Sequence, residues 1–72
     1  MSKVKKYKHN IGDLVFLMPY GLGYVESIKK QNRVYPYIIH WLESGAEYKM
    51  SDDMVKHHKD ILKRYLEMKY GV

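Results

Sequence analysis

The residues able to do chemistry in this chain fall into a few groups, and most of them lack the partners that chemistry needs. Ser2, Ser27 and Ser51 have no His–Asp pattern beside them, and the chain has no cysteine, so neither an activated hydroxyl nor a thiolate is expected. His57 and His58 are neighbours, which on a helix turns their rings about 100° apart and keeps them from sharing an ion. Adding His40 gives three imidazoles, but no carboxylate falls at an evident ligand spacing, so no metal is expected. Gly21-Leu22-Gly23 is not followed by Gly-Lys-Ser/Thr and does not open a helix, so it reads as a turn and not a phosphate cradle. An enzyme is not expected, nor a cofactor, nor a small-molecule substrate.

What remains is cationic and aromatic. Lys3, Lys5, Lys6 and Lys8 place four positive charges and no acid in residues 1–10. Residues 11–50 balance to zero and residues 51–72 carry +1, so nearly all of the net +5 sits in that arm. A second basic run, Lys29, Lys30 and Arg33, leads into Tyr35 and Tyr37. Lysine and arginine neutralise phosphates, and aromatic rings stack on bases, so this interleaving suits nucleic acid of little sequence preference. Lys3, Lys5, Lys6, Lys8, Lys29, Lys30, Arg33, Tyr35 and Tyr37 are the expected contact residues. The competing expectation is a protein-interaction module, docking through an aromatic edge or the C-terminal segment. On that expectation, a small chain rich in lysine and tyrosine resembles the bacteriophage proteins that modulate a host protein.

The elements that position these residues follow from periodicity. Asn10-Ile11-Gly12-Asp13 is a turn into the apolar run Leu14 to Met18, which Pro19 and Gly21 to Gly23 end. Tyr24 to Ile28 predicts a second strand, and Lys29 to Asn32 a polar turn. Arg33 to Leu42, rich in β-branched and aromatic residues, predicts a third, irregular where Pro36 cannot donate to a ladder. Glu43 to Ala46 is a hairpin turn, and Glu47 to Met50 the return strand. From Ser51 the period becomes helical, with Ser51 as cap and Met54, Val55, His58, Ile61, Leu62, Tyr65 and Leu66 on one stripe. His58 falls inside that stripe, where a backbone carbonyl is its expected partner. The expected core is Val15, Leu17, Val25, Ile28, Ile39 and Trp41, with Ile61, Leu62, Tyr65 and Leu66 packing the helix onto it.

The 72 residues allow one small domain, and no run approaches the roughly 20 apolar residues of a membrane span. Lysines at the start with no apolar stretch behind them do not make a secretion signal, so a soluble cytoplasmic protein is expected, with no membrane partner. The expected organisation is a basic arm over residues 1–10 and one domain over 11–72, its helix spanning about 51–69.

Ile11-Gly12-Asp13-Leu14-Val15 followed by Gly21-Leu22-Gly23-Tyr24-Val25 resembles the opening of SH3-like barrels of the Tudor, chromo and KOW type. Tyr37-Ile38-Ile39-His40-Trp41 is similar to the strand of chromo-like domains in which a tyrosine and two hydrophobic residues precede a tryptophan. The resemblance covers residues 11–55 and implies a mainly β fold, a small antiparallel SH3-like barrel of four or five strands with a C-terminal α-helix. It also implies a binding module for nucleic acid, methylated lysine or protein surfaces, with Trp41 in the place of a cage tryptophan. The basic arm argues against a methyl-lysine tail, which is itself cationic.

Overall fold

In the computed structural model, which describes residues 7–71, four strands run as an antiparallel meander and a single helix follows. The strands are β1 (Leu14–Leu17), β2 (Gly21–Ile28), β3 (Tyr37–Trp41) and β4 (Glu47–Met50), and the helix is α1 (Asp52–Tyr70). Their order in the sheet is β1-β2-β3-β4. The edges β1 and β4 do not pair with each other, so the expected barrel is corrected to an open sheet. The strand lengths explain this: β1 and β4 have four residues each, and α1 starts two residues after Met50. No length is left for a fifth, closing strand between them, and α1 packs chiefly along β1 instead.

Side-chain alternation divides the sheet into two faces. Val15, Gly23, Val25, Tyr37, Ile39, Trp41 and Met50 are buried on the inner face, where Val55 and His58 of α1 join them. Leu17 and Ile28 pack only partly buried at the margin of this core. Gly23 pairs with Val15 on one side and Trp41 on the other, and a Cβ there would lie 2.6 Å from the indole. The Gly21–Gly23 segment is therefore strand and not turn; the chain reverses earlier, through Met18 to Tyr20. Gly21 starts β2 at φ +80°, a backbone conformation that favours glycine.

The expected third strand is also shortened, to Tyr37–Trp41. Asn32 is the cause: its Oδ1 accepts from the backbone N–H groups of Val34, at 3.2 Å, and Tyr35, at 2.8 Å. That side-chain turn holds the segment out of the sheet until the buried Pro36 brings it back.

Ser51 caps α1, its Oγ accepting from Met54 N at 3.3 Å, and Gly71 closes the helix at φ +67°. His58 Nδ1 lies 2.6 Å from the Met54 carbonyl, the local partner its place in the stripe predicts. Burial along the stripe fades sooner than the spacing predicts. Ile61 and Leu62 are half-buried, while residues 63–71 are all exposed, because α1 runs on past the short β1. Tyr65 stacks on Phe16 with ring centroids 4.4 Å apart, and Leu66 is left bare.

Candidate nucleic-acid interface

The loop between β2 and β3 presents a cationic surface held by hydrogen bonds. Lys29 N–H donates to the Pro36 carbonyl at 2.7 Å, and Asn32 N–H to the Lys29 carbonyl at 3.1 Å. With the two bonds to Asn32 Oδ1, these contacts give the loop a defined shape. It borders a groove of about 480 Å³, open to solvent, in which Lys29, Arg33 and Lys49 supply three cations and no acid intervenes. Tyr35 and Ile38 provide its apolar wall. Lys49 comes from β4, paired with Ile38 across the outer face of the sheet. The sequence gives no hint of this cation, since its place in the groove depends on strand register.

The other expected contact residues divide sharply. Lys30 is exposed on the same loop but does not line the groove. Lys8 is exposed, and Lys3, Lys5 and Lys6 lie outside the described residues. Tyr35 keeps 43% of its surface exposed, enough for a ring face to be offered to a base. Tyr37 is a correction: it is fully buried, and its hydroxyl donates to Asp52 Oδ1, so no base can stack on it. Burial, followed by the hydrogen bond to that carboxylate, pushes the Tyr37 hydroxyl up to about 12.

Trp41 keeps its expected place in the core, and its cage role is the second correction. It has no exposed surface, and the stacked ring of Tyr20 covers it at 5.3 Å. Tyr48 closes edge-on against both rings, at 5.2 Å from Tyr20 and 6.3 Å from Trp41. Two tyrosines do gather around this tryptophan, but the three rings fill one another's faces and leave no open cage for a cation. The cluster is core and rim packing.

The end of the expected arm is tied to the fold. Tyr7 packs against the core, its ring edge-on to Tyr37 at 6.0 Å. His9 is buried; its backbone N–H donates to the Tyr37 hydroxyl at 3.3 Å, and its Nε2–H to the Asp52 carbonyl at 3.0 Å. Ile28, Tyr37 and Met50 are register neighbours, so this anchorage and the β2–β3 loop occupy the same end of the sheet. Tyr7 and His9 therefore sit against the inner face at the end of the sheet where the groove opens on the outer one.

Two further electrostatic features lie outside the groove. Lys59 Nζ sits 2.6 Å from Asp13 Oδ2 and joins the turn before β1 to α1. The Asn10 backbone N–H and then Lys59 hold the Asp13 carboxyl below its usual range. On the outer face, the neighbouring Glu47 pushes the Glu26 carboxyl up.

No protein family, curated protein or solved structure matches this chain.

Proposed function

We propose that this protein is a non-enzymatic nucleic-acid-binding module that grips phosphates through the β2–β3 groove and the basic N-terminal segment. The observation that carries the proposal is the groove itself, where Lys29, Arg33 and Lys49 converge beside Tyr35 with no acid between them. Cations grouped this way lower the potential of a phosphate backbone, and the exposed Tyr35 ring offers a stacking surface to an unpaired base. The likeness of residues 11–55 to Tudor, chromo and KOW modules is compatible with this, at the level of a β meander that ends in a helix. Soluble, cytoplasmic residence belongs to the same proposal; no helix among the described residues is long and apolar enough to cross a membrane.

A salt titration tests it. Each neutralised phosphate contributes about −0.9 to the log–log slope on duplex DNA, so the three groove cations together with Lys8 give roughly −4. Duplex and single-stranded DNA and RNA are compared in the same series. A flat salt response, or no binding to any of them at low salt, refutes the proposal.

A second reading rests on a different surface. Along the exposed end of α1, Leu66 and Tyr70 line an apolar cleft with Lys63 and Glu67, and Met68 is 86% exposed. Apolar side chains on a bare helix end suit a protein partner. On that reading Leu66→Asp abolishes the complex while loss of the groove cations is tolerated.

A further inference from the structure

The outer face of the sheet carries a second constellation. Glu26, His40 and Glu47 come from β2, β3 and β4, and a ligand atom from each lies within 4.8 Å of the other two. Strand register brings them together: His40 pairs directly with Glu47, and Glu26 is the extra residue where the β2–β3 register shifts between Val25 and Ser27. A bulge of this kind sets two residues of one strand against one of the next and re-aims a side chain.

We infer that Glu26, His40 and Glu47 form a binding site for one zinc-class divalent cation, held by one imidazole nitrogen and two carboxylate oxygens. His40 Nδ1 faces both carboxylates, 3.7 Å from Glu47 Oε2 and 4.0 Å from Glu26 Oε2. With bonds of about 2.0–2.2 Å, a tetrahedral zinc holds its ligands about 3.3–3.6 Å apart, so these side chains need to draw together by only a few tenths of an ångström to share one. The same nitrogen is shut off from solvent and has no hydrogen-bond partner. An unsatisfied buried polar atom carries a free-energy cost that a coordinate bond would remove. Two carboxylates facing each other repel, and a divalent cation between them reverses the sign of that interaction. Tyr24 packs on the imidazole with centroids 5.4 Å apart and orients it. One nitrogen with two oxygens matches a borderline cation better than calcium or magnesium, which take oxygen ligands. Three protein ligands leave a fourth position for water. The site stands on its own geometry and does not depend on nucleic-acid binding.

Zinc chloride titrated calorimetrically into the full-length chain at neutral pH tests the inference, with the cobalt(II) visible spectrum as the report on coordination. One ion per chain is expected. His40→Ala and Glu47→Gln should each weaken it by at least about tenfold, the lower end of what even outer-shell changes cost at zinc sites. His57→Ala, which removes an exposed imidazole from α1, should leave affinity unchanged. The far-ultraviolet spectrum of each variant checks the fold; should His40→Ala fail to fold, Glu47→Gln on the exposed β4 edge decides alone. The nitrogen-15 resonance of His40 Nδ1 should shift on zinc addition. The inference is overturned if no ion binds stoichiometrically, if Glu47→Gln binds as the parent does, or if the affinity is lost with His57.

Discussion

The two faces of β2, β3 and β4 are built from alternate residues of the same short strands, yet they do opposite work. The inner face takes Gly23 and Val25, then Tyr37, Ile39 and Trp41, then Met50, and closes them from water. The outer face takes Tyr24 and Glu26, then Ile38 and His40, then Glu47 and Lys49, all of them half-buried or exposed. Aromatic residues, which look functional when counted along the chain, belong mainly to the inner face. The groups with open chemistry lie one residue away from them. A strand five residues long can thus hold a core on one face and polar, accessible groups on the other, because its side chains alternate with period two.

The strongest way to break this comparison is Trp41→Ala. If the indole fills the core, truncation should cost about 3–5 kcal/mol, a large part of a small domain's stability. Thermal or urea unfolding measures it, and a loss within experimental scatter would return Trp41 to the surface. The adjacent pair Ile38 and Ile39 sharpens the contrast within one strand. Ile39→Ala should cost about 2–5 kcal/mol, whereas Ile38→Ala, half-buried on the outer face, should cost distinctly less. Equal losses would mean that the two faces are not distinguished by burial.

Tyr37 offers a pH test of the inner face. Its hydroxyl titrates at about 12 in the folded protein against an ordinary 10.0, so the folded form holds that proton more tightly. The resulting stabilisation is complete below pH 10 and is lost as pH rises from there through about 12. Tyr37→Phe removes a hydrogen bond to a carboxylate and should lower stability at neutral pH by about 1.5–3 kcal/mol. The gap between parent and variant should then narrow across the alkaline range, as denaturant melts at successive pH values would show. A gap that widens with pH contradicts the buried, Asp52-bonded hydroxyl.

Much of the scaffold was legible along the chain because it rests on local signals. Ser51 caps α1 as its spacing predicts, Gly71 stops it, and Glu47 to Met50 form the return strand. Asn32 marks a turn whose reach is longer than expected, since its Oδ1 also holds Val34 and Tyr35 out of β3. Closure into a barrel was not legible, because it depends on whether two edge strands meet, which no local pattern encodes. The basic loop was legible as composition, but Lys49 enters its groove only through pairing of β4 with β3. The Glu26–His40–Glu47 constellation escaped for the same reason. Its members are 14 and 7 positions apart in the chain; three strands and a bulge bring them together. Trp41 holds its expected place in the core. Tyr37 was misplaced because aromatic type alone does not reveal which face a strand residue occupies.

The smallest expected effect tests the central claim most directly, because it isolates one cation that only the folded sheet brings to the groove. Lys49→Ala and Lys56→Ala remove the same charge from exposed positions, the first on the outer face of β4 and the second on α1. Binding of fluorescent duplex and single-stranded oligonucleotides is measured for both variants and the parent across a salt series. The groove account predicts that Lys49→Ala weakens binding at every sequence and makes the log–log slope on duplex shallower by about 0.9. Lys56→Ala should keep the parent slope. Equal losses from the two variants, or an unchanged slope for Lys49→Ala, would contradict it.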